Sequence, residues 1–266
     1  MTRMTVPARV LLVFGCLATS LPAHAQDRPF LFSVTTSRDP AAPALRVDYD
    51  VGVGERAFQS DTANQPEQRV AFQVTGGRWT MIGRVGVLSA GSAYQSSQSG
   101  EVLVSLVAPG TRGLALAAGG GVLHEASGID VLLARVIGGH EGDRWRLHGN
   151  LLLQKPLTPG RDPLDLITTV GWARRLTPAV ALGVEGLGED LEGFWDPTEA
   201  EGGARILVGP SLHFAPRGHK WQLTATGGPL FHPASTGLSS GALRDLPPTT
   251  GRLGYAFRAG VAYALF

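Results

Sequence analysis

From residue 45 onward the chain alternates apolar and polar positions. In Leu45–Val53, Val47, Tyr49, Val51 and Val53 share one face, while Arg46, Asp48 and Asp50 share the other. Trp145–Leu151 repeats the pattern, with Trp145, Leu147 and Leu151 opposite Arg146, His148 and Asn150. So does Lys220–Thr226, with Trp221, Leu223 and Ala225 opposite Gln222, Thr224 and Thr226. A period of two belongs to the pleated strand, whose successive side chains point to opposite faces. The alternation predicts twelve strands, near 45–53, 67–75, 77–88, 101–108, 113–123, 130–139, 144–154, 164–175, 179–188, 204–214, 220–231 and 252–266. Strand ends read this way shift by a few residues, which brackets the number at about 10–14. Most of these runs have the roughly 9–11 residues that a tilted strand needs to cross a bilayer.

The connections alternate too. Gly76, Pro109–Arg112, His140–Asp143, Leu176–Pro178 and Ala215–His219 are short. Gly54–Pro66, Ser89–Gly100, Lys155–Pro163, Glu189–Gly203 and His232–Gly251 are long, and His124–Ile129 is intermediate. An all-β, up-and-down antiparallel transmembrane barrel produces this rhythm, with short periplasmic turns and longer extracellular loops. Trp79, Trp145, Trp172 and Trp221 fall at the short-turn end on the apolar parity, with Phe72, Phe214 and Tyr263. That is the place of an aromatic girdle in the headgroup layer. Trp195 stands apart, in a long loop. A soluble β-sandwich has the same period with its apolar face turned inward, so alternation alone leaves both readings open.

The N-terminus, the terminal Phe266, the loop asymmetry and the aromatic rim together separate them. Arg3 and Arg9 precede the apolar run Val10–Leu21, which is too short to span a bilayer, and Ala23-His24-Ala25 offers small residues to a signal peptidase. This predicts a secretory leader over residues 1–25, cleaved after Ala25. Residues 26–44 follow as a periplasmic segment or partial plug, and residues 45–266 form the barrel. The leader takes with it the single cysteine, Cys16, and leaves a formal charge close to zero. A cysteine-free exported chain suits an oxidising compartment. With Lys+Arg at 23 and Asp+Glu at 22, the whole chain lacks the basic surplus of a nucleic-acid binder.

If the apolar parity faces lipid, the polar parity faces the lumen. It carries Arg46, Arg69, Arg78, Arg84, Arg135, Arg144, Arg146, His148, Glu185, Arg205, His213 and Arg258, besides Asp48 and Asp50. Charges walled in by a low-dielectric barrel must pair or stay hydrated. Closure of the barrel would bring Arg258 beside Asp48 or Asp50. Arginine outnumbers carboxylate in this set, which predicts a lumen that favours anions.

The end of the chain, Tyr255-Ala-Phe-Arg-Ala-Gly-Val-Ala-Tyr-Ala-Leu-Phe266, resembles the C-terminal strand of bacterial outer-membrane β-barrel proteins. The resemblance implies insertion in the bacterial outer membrane, among its lipids and lipopolysaccharide. It also implies recognition of the strand ending at Phe266 by the barrel-insertion machinery. Phe266 lies on the opposite parity to Phe257, Val261 and Tyr263, which departs from the usual signal. Gly171–Pro178, Ala181–Gly186 and Gly209–Leu212 resemble outer-membrane transporters of the phenol meta-pathway type.

Catalytic chemistry finds little support. His124-Glu-Ala-Ser127 places a histidine near a serine without a nameable third partner or oxyanion donor. His213 and Glu185 occupy neighbouring strands at different expected heights. The acidic stretch Glu189–Glu201 could hold a hard cation or solvate a loop. No metal or other cofactor is expected. The sequence therefore predicts a passive conduit for small polar or anionic solutes. A structural barrel with a closed lumen is the alternative, and a lipid hydrolase is a more distant one.

Overall fold

The computed structural model describes residues 44–55, 66–90, 93–107, 114–125, 128–159, 164–189, 191, 205–231 and 253–265. The expected leader, the segment before the first strand, Phe266, Ser127, Trp195 and most of the acidic stretch lie outside these residues.

Twelve strands follow one another along the chain. They are β1 (Ala44–Glu55), β2 (Glu67–Gly76), β3 (Trp79–Ala90), β4 (Ala93–Val107), β5 (Leu114–His124) and β6 (Asp130–Glu141). Then come β7 (Trp145–Pro156), β8 (Asp165–Arg175), β9 (Val180–Glu189), β10 (Arg205–Phe214), β11 (Trp221–Phe231) and β12 (Leu253–Ala264). Each pairs antiparallel with the next, and β1 pairs with β12, so the sheet closes. Closure leaves no unpaired sheet edge, the condition for a β-structure in hydrocarbon. We call the end where β1 starts and β12 finishes the terminal end, and the opposite one the loop end.

The outer face is apolar all round. Phe72, Met81, Val102, Val122, Leu132, Leu151, Val170, Leu182, Val208, Leu223 and Val261 all stand exposed on it. In water such a surface would be unstable, whereas acyl chains solvate it. Trp79, Trp145, Trp172 and Tyr263 are exposed on this face at the terminal end. Trp221 joins them in register with Tyr263 and edge-on to Phe214, at 5.6 Å between ring centroids. The loop end carries its own outward aromatics, Phe231 and Tyr255.

The strand termini depart from expectation in two places. Ser89–Gly100 was expected as a long loop, but most of it is strand. β3 and β4 continue to pair up to Ser89 opposite Tyr94 and Ala90 opposite Ala93. The pairing of β2 with β3 stops at Leu88, and that of β5 with β4 stops at Gln98. The tip of the hairpin therefore extends past the pairing of its neighbours. At the opposite end, the β2–β3 turn consists of Gly77 and Arg78, with Gly77 at a φ of 57°. Two-residue hairpin turns demand that left-handed backbone, which only glycine adopts freely.

Inside, the two halves differ. In the loop half, inward-facing Leu123, Val131, Leu133, Leu152, Ile167, Leu187, Leu207, Leu230 and Ala256 pack into one cluster. Nearer the terminal end, Ile82, Leu103, Ala117 and Ile137 form a second, smaller cluster. Each such leucine, isoleucine or valine contributes about 1.5–3 kcal/mol on burial, so much of the loop half is filled as in a soluble core. Small residues allow the wall to curve around it. A Cβ on Gly119 would collide with the Val102 carbonyl, and one on Gly121 with that of Gly100.

Candidate functional site

The terminal half of the barrel is hollow. A cavity of about 1300 Å3 runs from the terminal rim into the middle of the barrel. Its mouth is formed by the turns joining β6 to β7, β8 to β9 and β10 to β11, and Arg144, Arg174, Arg175 and Arg217 lie on it. Its walls carry Arg46, Asp48, Gln73, Arg146, His148, Glu185 and His213. Period-two geometry accounts for this, because these strand residues share the inward parity.

Deeper in, the charges are buried in pairs. Arg258 bridges β12 to β1 and β2. Its Nε lies 2.5 Å from Asp50 Oδ1, and its Nη2 donates to Glu67 Oε2 at 3.0 Å. The expected contact across the barrel closure thus forms, with Asp50 rather than Asp48. Arg69 Nε donates to the other Asp50 oxygen at 3.3 Å. Arg84 on β3 and Arg135 on β6 both bond Glu101 on β4. Arg135 does so through Nε at 2.6 Å and Nη2 at 2.9 Å, and its Nη1 donates to Asn150 Oδ1 at 3.4 Å. Nearer the terminal end, Arg46 Nε donates to Asp48 at 2.7 Å. A buried guanidinium without such partners would be severely destabilising.

Two carboxylates absent from the expected lumen set, Glu67 and Glu101, join Asp48 and Asp50 in these pairs, and Asp165 and Glu189 are buried as well. The surplus of positive charge expected along the whole lumen is thereby offset in the barrel's middle, and it persists at the terminal mouth. Glu101 escaped notice because β4 begins earlier than the pattern predicted. Glu67, Asp165 and Glu189 sit at strand ends, where alternation fades.

His148, Glu185 and His213 do meet, despite their different expected heights. Glu185 Oε1 lies 3.4 Å from His213 Nε2 and 3.9 Å from His148 Nε2. The reason is glycine. The residues opposite Glu185 on β8 and β10 are Gly171 and Gly209. A Cβ on Gly171 would occupy the place of the His148 ring. Longer side chains from up and down the wall lean into the space these glycines leave.

Two expected lumen residues lie elsewhere. Arg78 belongs to the β2–β3 turn, exposed, with its Nε donating to Ser105 O at 3.0 Å. Arg144 precedes β7 in a turn and reaches the cavity only at its mouth. Arg205 opens β10 opposite Glu189 in the register. His124, considered above for catalysis, is exposed and bonds Asp130 at 2.8 Å. Among the described residues no cluster of three or more His, Cys, Asp or Glu is arranged to hold a metal ion.

No family model and no curated protein matches the chain. Solved structures do. A KdgM porin in complex with disordered oligogalacturonate is 12% identical, with a TM-score of 0.54 over 83% of this chain and 99% of the porin. The NanC porin is 8% identical, with a TM-score of 0.57 over 82% of this chain and 98% of its own. At such identities the likeness is one of architecture: this chain folds as these porins fold.

Proposed function

We propose that this chain is a passive channel of the bacterial outer membrane for small polar and anionic solutes, with its terminal end toward the periplasm. The observation that carries this reading is the large cavity inside a closed barrel, apolar outside and ringed with arginine at its mouth. Guanidinia around a narrow aqueous space raise the local concentration of anions and repel cations. The fold shared with two porins supports the reading, and the acidic oligosaccharide named with one of them is a solute of the proposed charge. On this view the aromatics of the terminal end sit at the inner headgroup layer. Lipopolysaccharide surrounds the loop end, and the last strand is read by the insertion machinery. The protein acts by conduction and needs no catalytic residue.

The packed leucines of the loop half favour a second reading, a barrel whose lumen stays shut. Planar-bilayer recording separates the two. The channel reading expects a stable unit current with chloride carried in preference to potassium. A silent membrane, with protein that shows heat-modifiable migration on SDS gels and is therefore folded, would establish the closed barrel.

A further inference from the structure

On the outer wall of β1 to β4 the registers align outward side chains in cross-strand rows. Val47, Phe72, Gly83 and Gly100 make one row. Tyr49, Val70, Val85 and Gln98 make the next toward the loop end, and Val51, Gln68, Val87 and Ser96 the one after. Two features break the apolar surface here. Gln68 and Gln98 present exposed amides. Gly83 and Gly100, side by side, leave a depression, because a Cβ on either would meet nothing within 4 Å.

Gln68 is set within the apolar band. On β1 and β12 the outer face runs on past its register through Val53, Phe257 and Tyr255, all exposed. An amide turned to acyl chains is costly unless a polar group meets it. Tyr49 Oη donates to Gln68 Oε1 at 3.0 Å. That bond uses the amide oxygen and leaves the two amide hydrogens of Gln68 to find another acceptor. A glutamine side chain both donates and accepts, so one amide complements another, whereas lipid tails offer neither group.

The strands are tilted, and the rows climb. From Val47, near the start of β1, the first row passes through Phe72, Gly83, Gly100, Val122 and Leu132 to Lys155, at the loop end of β7. A residue one row nearer the loop end and two strands earlier therefore stands at a similar depth. Gln68 and Gln98 are such a pair, and Tyr49 and Gly83 are another. Both pairs straddle one line, which passes between Val70 and Val85. A two-fold axis normal to the membrane along that line sets Gln68 against the partner's Gln98 and seats Tyr49 in the partner's glycine depression. Each contact then occurs twice, as an isologous interface requires. Small residues let two membrane walls approach closely.

We propose that this wall is the interface of a homodimer in the membrane, built on reciprocal Gln68–Gln98 hydrogen bonds and on Tyr49 packed over Gly83. It requires the membrane barrel but not conduction, so a silent bilayer leaves it standing.

Sedimentation equilibrium of the folded chain in neutral detergent micelles should show a reversible dimer. Gln68→Leu makes the wall greasier, yet it should weaken the dimer roughly tenfold, as should Gly83→Leu, which fills the seat of Tyr49. Heat-modifiable migration verifies that both variants fold. Cross-linking identifies the wall. The sequence has a single cysteine, Cys16, so a Cys16→Ser background is used. Copies with Gln68→Cys and copies with Gln98→Cys, refolded together into phosphatidylcholine vesicles, should form a disulfide-linked pair on mild oxidation. Each such pair keeps one amide contact. Copies with Leu182→Cys or Val208→Cys, exposed on the opposite wall, should not link. A monomer at every protein-to-lipid ratio, or a dimer that both substitutions leave unchanged, would overturn the proposal. So would a photoreactive reagent on Gln68→Cys that, in outer membranes, labels lipopolysaccharide or a different protein instead of a second copy.

Discussion

Gly171 shows how much a single missing methyl group can organise. Its inward position is filled by the His148 ring, which lies beside Glu185 with His213 beyond it. Gly171→Ala should expel the imidazole and destabilise the barrel by about 1–3 kcal/mol, the usual cost of overpacking a filled site. In a His148→Ala background the same substitution should cost almost nothing, because the added methyl then has room. Urea unfolding of the four proteins of that cycle, in one lipid, measures the coupling. Sequence alternation assigned His148, Glu185 and His213 to the inner face. It could not reveal that they touch, because contact depends on glycines whose effect appears only once the register is known.

At the scale of the element, strand number and facing were legible because hydrocarbon enforces them. A polar side chain turned to lipid is costly, so each crossing keeps its outward positions apolar. Where that constraint lapses, legibility lapses with it. The tip of the β3–β4 hairpin extends past the pairing of its neighbours and reads as a polar loop. Val131–Leu133 and Leu151–Leu153 are apolar on both faces, because the inner face of the loop half is packed too. The β4–β5 pair offers a direct test of facing. Gly121 is turned inward against the β4 backbone, whereas Gly100 opens outward with nothing within 4 Å. Gly121→Val should prevent refolding into lipid vesicles, and Gly100→Val should refold as well as the wild type. Heat-modifiable migration distinguishes the two outcomes.

Across the whole molecule, charge and packing divide the barrel into a hollow basic half and a filled apolar half. Leu207 and Leu230, 0% and 1% exposed, lie at the heart of the filled half. Truncating either to alanine should cost about 2–5 kcal/mol in urea unfolding, the range for a buried leucine whose cavity does not collapse. Over the filled half, the wall is greasy on its inner as well as its outer surface. That part carries a dry interior of its own wherever it goes, like a globular protein sleeved in lipid. The hollow half holds a large cavity and paired ions beside one small apolar cluster. When detergent strips the bilayer away, fraying will begin at the terminal mouth, and amide protons nearest the loop end will be the last to exchange.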